Sequence, residues 1–436
     1  MLYFQVRAAH TECMVTVLVG NSYSQIRGMS PGQETEIRKL LSYTTDAGQA
    51  YFSGGRQHRR YLIDKRGYFP TGLLHRLPDW EAMYQDMRLK PSSKPAIEFK
   101  SLPPYPDQLK AVDVAVKVCR GTLSLPTGTG KSLVIALIAS RLNVKTLVVV
   151  PSLEIKKQLQ EAVKALKNVT IHNIDSPALA KAKDFDCLII DEAHHTAAKT
   201  YQKLNKTAWT GIYYRYFLTG TAFRNNVEET LLFEAIAGEV IYKLDYKTAV
   251  TRGYIVPVEA YYLDIPKQPT DAYTYAEVYS QLVVNNEARN NAISALLLRL
   301  SLSQVPTLCL VKEVAHGKLL ARLTGLPFVS GADDDSRGLI DEFNTGGIKS
   351  LIGTAGILGE GVDTKPAEFV VIAGLGKAKS QFMQQVGRGV RRFNGKESAK
   401  IIIIRDGSHK FTLRHFNAQK RILLDEYGAR LVKLEL

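Results

Sequence analysis

The sequence predicts an α/β protein with two doubly wound parallel sheets, a small accessory domain before them and a helical tail after them. Short apolar runs alternate with helical patterns over residues 100–250, and the alternation returns from 305 to 405. The run LPTGTGKS at 125–132 stands between an apolar strand pattern and an apolar helical one. The chain of 436 residues is therefore predicted to have four regions: 1–95, 96–250, 251–405 and 406–436.

The N-terminal region combines alternating stretches such as MVTVLVG with turn-rich segments, which predicts a small β-rich or α+β domain. Arg59 and Arg60 lie among tyrosines and phenylalanines, a pattern that suits phosphate contact and base stacking. A hairpin with a solvated basic face and aromatic side chains in its core explains the same residues equally well. Residues 94–106 are rich in Pro, Ser and Lys and read as a linker.

The segment after TLSL has the order strand, glycine-rich turn and helix that a phosphate-binding loop requires. Glycines let backbone N–H groups surround phosphate oxygens at a helix N-terminus. Lys131 would contact the β- and γ-phosphates, and the Ser132 hydroxyl would ligate Mg²⁺. Leu125 departs from the strict pattern, which has glycine there, and a glycine turn before an ordinary helix is the alternative. The predicted phosphate-binding residues are Pro126, Thr127, Gly128, Thr129, Gly130, Lys131 and Ser132.

An acidic pair follows the apolar strand pattern DCLII. Asp191 would hold Mg²⁺, and Glu192 would position and deprotonate an attacking water. His194 would sense the γ-phosphate or couple it to the next strand. The alternative is a solvated helix N-terminus with capping acids.

A third pattern, Q-x-x-G-R-x-x-R, spans residues 384–391. It predicts two arginines, Arg388 and Arg391, on one face of a helix that also carries Gln384. A planar guanidinium suits the charge that spreads over a phosphoryl group during transfer. Taken alone, the pattern also fits a basic helix that touches solvent or nucleic-acid phosphate.

Together and in this order, the motifs resemble those of superfamily 2 DExH-box helicases, specifically the phage UvsW-type and RecG-like enzymes, over roughly residues 100–405. The resemblance implies two RecA-like domains with an ATP site between them, and ATP and Mg²⁺ as cofactors. It also implies 3′-to-5′ movement on DNA and branch migration of forks and junctions.

Further site residues come from the resemblance. Tyr105 and Gln108 match the adenine-reading motif, and Gly361 and Asp363 match residues on the nucleotide side of the motif near 354–363. The residues that match DNA-contacting motifs are Pro151, Ser152, Thr219, Thr221, Lys312 and Thr354.

The composition agrees with this interpretation. The formal net charge of +15 suits a phosphate-rich partner, and 45% hydrophobic with 23% charged residues is typical of globular domains. The 4 cysteines are far apart and predict neither a disulfide framework nor a zinc site. We expect a monomeric cytoplasmic protein without a membrane partner, which binds forked or branched DNA mainly through phosphates.

Alternatives remain for the class and for two segments. The chain would also fit a DExH RNA helicase, a duplex translocase without strand separation, or a junction-binding protein with an inactive motor. Tyr273, Tyr275 and Tyr279 would pack on the second domain or reach DNA. The tail would pack on that domain, or present Phe411 and Phe416 as a wedge.

His415, Arg421 and Tyr427 resemble the tail pattern of helicases that read branched DNA.

Overall fold

The computed structural model describes residues 15–44, 58–92, 94–220, 227–331, 333, 335–358, 364, 366–374, 376, 378–393 and 395–435. The chain divides into two compact units. The first unit comprises Met1–Ser124 and Ser132–Lys243, and the second comprises Leu125–Lys131 and Leu244–Leu436.

The N-terminal part of the first unit is a mixed four-stranded sheet with a separate two-stranded ribbon. The strands are β1 (Val15–Val19), β2 (Tyr23–Arg27), β3 (Ser42–Thr44), β4 (Arg59–Tyr61), β5 (Tyr68–Pro70) and β6 (Ala82–Asp86). The sheet order is β5-β2-β1-β6, and β3 pairs with β4. Helix Pro31–Leu40 is capped by Ser30, and a 3-10 helix covers Thr71–Arg76.

This sheet is fixed to helix Val227–Ala237. Leu231 and Ala235 of that helix are part of the core formed by the sheet. A Cβ added at Gly72 would lie 2.0 Å from the carbonyl oxygen of Glu234, so the two backbones touch. Arg76 and His75 hydrogen-bond the Glu234 carboxylate. The N-terminal sheet is therefore an integral part of the first unit.

The main sheet of the first unit is parallel throughout. Its strands are β7 (Arg120–Ser124), β8 (Thr146–Val150), β9 (Val169–Asn173), β10 (Cys187–Ile190), β11 (Tyr214–Thr219) and β12 (Val240–Lys243). The order is β12-β7-β11-β10-β8-β9. The connecting helices are Pro106–Val118, Lys131–Leu142, Leu153–Ala162, Lys199–Thr207 and Val227–Ala237, with 3-10 turns at Pro177–Lys181 and Ala193–Ala197. Helices cover both faces of such a sheet, which explains why its central strands are continuous apolar runs.

The second unit repeats this architecture. Its parallel strands are β13 (Val258–Ile265), β14 (Thr307–Val311), β15 (Phe328–Val329), β16 (Ser350–Thr354), β17 (Phe369–Ile372), β18 (Ala399–Asp406) and β19 (Leu431–Lys433), in the order β15-β16-β14-β17-β18-β13-β19. Its helices are Tyr246–Thr251, Tyr275–Tyr279, Glu287–Leu302, Val314–Thr324, Ser336–Thr345, Lys379–Gly389 and Lys410–Tyr427, with a π-helix at Ser280–Val284. The two RecA-like parallel sheets of the predicted fold class are confirmed.

The tail departs from the all-helical prediction at its end. Helix Lys410–Tyr427 stops at Gly428, whose φ of +66° is a left-handed cap, and β19 then pairs in parallel with β13. Phe416 packs on Tyr262, and the Tyr427 hydroxyl donates to the Met383 carbonyl. These contacts favour the packing interpretation of the tail. Within the described ranges, no helix is long and apolar enough to cross a membrane.

Candidate nucleotide and nucleic-acid site

The predicted residues of the first unit follow the carboxyl ends of neighbouring parallel strands. Strand β11 lies between β7 and β10, and Thr219 pairs with Ser124 while Ile190 pairs with Phe217. The glycine-rich turn leaves the sheet after Ser124, and the acidic pair follows Ile190. Open parallel sheets bind their ligands at this edge, outside the carboxyl ends of the strands.

The conformation of the glycine-rich turn requires its glycines. Gly128 and Gly130 have φ angles of +89° and +80°, a region that residues with a Cβ rarely adopt. Thr129 is buried, and its hydroxyl donates to the Pro126 carbonyl at 2.7 Å. Leu125 is 1% exposed, so it is a core residue of the strand end and not part of the turn. Helix Lys131–Leu142 begins directly after the turn, and the first N–H groups of a helix have no partner within the helix.

The turn belongs to the second unit by its packing. A Cβ added at Gly387 would lie 2.7 Å from the Cβ of Thr127, and one added at Gly128 would lie 3.4 Å from the Cγ of Arg391. The turn therefore lies directly against the segment with the Q-x-x-G-R-x-x-R pattern. Only glycine at position 387 allows Thr127 to approach this closely. The sequence pattern includes this glycine, and the packing explains why it is needed.

The acidic pair has a strained backbone. Asp191 is buried at the end of β10, and its carboxylate accepts the N–H of Glu192 at 2.9 Å. Glu192 has a φ of +46°, which is uncommon for a residue with a side chain. Its carboxylate lies 3.3 Å from the Nδ1 of His194. Strain of this kind is concentrated at functional sites.

The donors proposed for Mg²⁺ match its preference for oxygen. Ser132 supplies a hydroxyl from an exposed position in the first turn of its helix, and Asp191 supplies a carboxylate from the strand end. The described residues contain no group of three or more His, Cys, Asp or Glu side chains that could hold a metal ion.

The predicted arginine helix is correct for Arg388 and wrong for Arg391. Helix Lys379–Gly389 contains Gln384 and Arg388, which is 4% exposed. The helix ends at Gly389, and Arg391 forms an isolated antiparallel bridge with Ile255. Next to this bridge, the Val256 N–H donates to the Val390 carbonyl. Backbone pairing with a distant segment therefore replaces the last helical turn.

The cationic character of this segment affects a neighbouring lysine. Burial lowers the pKa of Lys396 to about 8; Glu368 opposes the effect and the charge of Arg391 adds to it. A bound anion would relieve the repulsion between these two cations.

One residue of the helix was missed by the sequence argument. Gln385 is fully buried, and its amide Nε2 donates to the Ala355 carbonyl at 3.5 Å, just after β16. The neighbouring Gln384 is half-buried. Only the rotation of the helix distinguishes these adjacent glutamines, so the sequence carries no signal for the difference.

The residues that match the adenine-reading motif begin helix Pro106–Val118. Tyr105 is its N-cap, and the Oε1 of Gln108 accepts the Tyr105 N–H at 2.7 Å. Asp107 accepts a hydrogen bond from the Tyr242 hydroxyl at 2.7 Å. The arrangement fixes this helix start on β12. The adenine contact itself stays a prediction.

The predicted DNA contacts occupy strand ends. Pro151 and Ser152 follow β8, and Ser152 caps helix Leu153–Ala162. Thr219 ends β11 and is fully buried; Lys312 follows β14 and is exposed.

Thr354 ends β16 beside Val311. Arg59 and Arg60 are exposed on β4, in the two-stranded ribbon of the first unit. Thr221, Gly361 and Asp363 lie outside the described residues.

The comparisons with known proteins identify helicases and translocases. Residues 101–175 match the family described as "Type III restriction enzyme, res subunit". The chain is 26% identical over 337 residues to a provisionally named helicase 22 of Sulfolobus islandicus filamentous virus, covering 65% of this chain and 60% of that protein. It is 25% identical over 365 residues to a provisionally named DNA 3′-5′ helicase Rad25 of Halobacterium salinarum, covering 76% and 59%. The chain thus spans about three fifths of the length of these two relatives.

Two further comparisons concern the family and the fold. The ATP-dependent DNA helicase uvsW of Enterobacteria phage T4 is 22% identical over 346 residues, covering 69% of this chain and 68% of that protein. A fragment described provisionally as the HsdR subunit of a type I restriction enzyme from Vibrio vulnificus superposes with a TM-score of 0.59. Its identity is 19%, and the match covers 76% of this chain and 68% of that one.

Sheet topology, glycine turn and acidic strand end define a P-loop α/β protein with two RecA-like sheets. Within that class, the resemblance to superfamily 2 DExH-box helicases is confirmed by the matched relatives.

Proposed function

We propose that this chain is an ATP-dependent DNA helicase or translocase that unwinds or branch-migrates forked and junction DNA in replication, recombination or repair. The observation that carries the proposal is the packing of the glycine turn on the arginine segment. Thr127 meets Gly387 and Gly128 meets Arg391, so the phosphate loop and the candidate arginines share one place in the molecule.

The residues have complementary roles in this proposal. Lys131 and the turn N–H groups bind the β- and γ-phosphates, and Glu192 orients the attacking water and accepts its proton. Arg388 and Arg391 stabilise the charge that develops on the transferred phosphoryl group. Bound Mg²⁺, held by Ser132 and Asp191, would neutralise phosphate charge.

Hydrolysis supplies the switch. When the γ-phosphate leaves, Arg388 and Arg391 lose the anion that they bind. The conformation that this interaction stabilised is then no longer favoured, and the affinity of the strand-end residues for DNA changes with the conformation. Because their contacts are to phosphates, little sequence preference is expected.

We propose DNA rather than RNA as the substrate because of the relatives that the chain matches. All three relatives above are named helicases, and two of the names specify DNA. The net charge of +15 supports a nucleic-acid partner of either kind. Branched DNA as the substrate rests on the resemblance to uvsW-type enzymes.

The test is ATP turnover by the purified chain with single-stranded DNA, duplex, fork, four-way junction and RNA. We expect the fork and the junction to stimulate turnover most. Greater stimulation by RNA than by every DNA form would replace the proposal with a DExH RNA helicase. Stimulation by duplex without displacement of a labelled strand would indicate a translocase.

A further inference from the structure

A group of aromatic side chains surrounds Lys312 at the carboxyl edge of the second sheet. Lys312 directly follows β14, whose last residue, Val311, pairs with Thr354. Gly374 lies two residues beyond the end of the neighbouring strand β17. This is the edge at which parallel sheets bind ligands.

The geometry combines a cation with several rings. The Nζ of Lys312 is 4.7 Å from the ring centroid of Tyr279 and 5.4 Å from that of Tyr275. The Tyr275 ring is 6.0 Å from Tyr279, 5.8 Å from Phe411 and 5.5 Å from His415, measured between centroids. We call these five residues the aromatic cluster.

The cluster has a fixed floor and an open side. Tyr279 is 3% exposed, and its hydroxyl donates to the Gly374 carbonyl at 2.8 Å. Tyr275 is 37% exposed, and Lys312 is exposed as well. Part of the Tyr275 surface is available to a ligand.

The backbone around Tyr275 is preorganised. Thr274 caps the helical turn, and the carboxylate of Glu277 accepts the N–H groups of Tyr273 and Thr274 at 3.0 and 2.9 Å. A π-helix, a form often found at functional sites, follows at Ser280–Val284.

Glycine is needed beneath this turn. A Cβ at Gly374 would lie 2.8 Å from the Tyr279 hydroxyl, so the glycine permits that anchor.

We propose that the aromatic cluster binds an unpaired nucleobase, which stacks on Tyr275, while Lys312 binds an adjoining phosphate. This inference rests on the proposed function. It adds a base contact to a mode of DNA binding that otherwise depends on phosphates. Every nucleobase has a π face, so stacking retains low sequence preference while distinguishing an unpaired strand from a paired one. The ammonium beside the rings supplies the charge that a backbone phosphate needs.

The experiment measures the affinity of the full chain for two labelled strands by fluorescence anisotropy, without nucleotide. One strand is oligothymidine, and the other is an abasic strand of equal length. The wild-type chain should prefer oligothymidine. Tyr275→Ala should weaken oligothymidine binding about tenfold and leave the abasic strand unaffected. Tyr275→Phe, which keeps the ring, should behave like the wild type, and Lys312→Ala should weaken both strands.

The outcomes separate the two proposals. If Tyr275→Ala weakens both strands equally or neither, the aromatic cluster is structural and the stacking proposal is wrong. If thermal melting shows that Tyr275→Ala is misfolded, Tyr275→Leu is used with the same expectations. A wild-type chain that binds neither strand contradicts the proposed function and the stacking proposal with it. A wild-type chain whose ATP turnover DNA stimulates, with no effect of Tyr275 on base preference, contradicts stacking alone.

Discussion

Replacing Glu234 by glutamine should loosen the attachment of the N-terminal sheet to helix Val227–Ala237. The Glu234 side chain is 17% exposed and pairs with both Arg76 and His75. Burial by itself would raise the pKa of this carboxyl. The hydrogen bonds from His75 and Arg76 outweigh burial and lower the pKa from 4.5 to about 2.

The size of the effect follows from that pKa. One pKa unit corresponds to about 1.36 kcal/mol, so the ionised carboxylate contributes on the order of 3 kcal/mol to the free energy of unfolding. The folded-state pKa is the lower one. The contribution is therefore fully present above pH 4.5 and is lost as the pH falls towards 2. By pH 3, about 2 kcal/mol of it should be gone.

Tryptophan fluorescence reports on this unit selectively. The chain has 2 tryptophans, Trp80 and Trp209, and both lie in the first unit. Urea unfolding should show Glu234→Gln less stable than the wild type at pH 7, with the gap narrowing by about 2 kcal/mol as the pH falls to 3. Glu239→Gln, on an exposed side chain nearby, is the control and should match the wild type. A gap for Glu234→Gln that stays constant from pH 7 to 3 would refute the electrostatic argument.

Two further predictions concern the segments that we propose to be catalytic. Glu192→Gln should reduce ATP turnover by about 10²–10⁴-fold with ATP affinity retained, and unchanged turnover would show that another group activates the water. Gly387→Ala should reduce turnover by about 10²-fold, because its Cβ would displace Thr127, 2.7 Å away. The control Gly338→Ala meets no atom within 4 Å and should leave turnover intact; equal turnover in both alanine variants would mean that the turn does not need this packing.

The sequence predicts best the strands that are completely buried. Strands β10 and β11 are buried along their whole length, so every residue in them is selected for a sheet covered on both faces. The glycine turn is also predictable from the sequence, because the φ angles of +89° at Gly128 and +80° at Gly130 favour glycine at these positions.

What the sequence does not predict depends on contacts between distant segments. Arg391 leaves the helix because its backbone pairs with Ile255, and no local pattern encodes that pairing. The strand Leu431–Lys433 exists because β13 offers an edge to pair with. The left-handed Glu192 is likewise unpredictable, since glutamate favours the ordinary helical region.

The most direct test of the account is strand separation on a labelled fork, followed over time with ATP and with a non-hydrolysable analogue. We expect separation with ATP only, and none for Lys131→Ala or Glu192→Gln. Separation that proceeds equally with the analogue, or in the two variants, would contradict a motor driven by hydrolysis at this site.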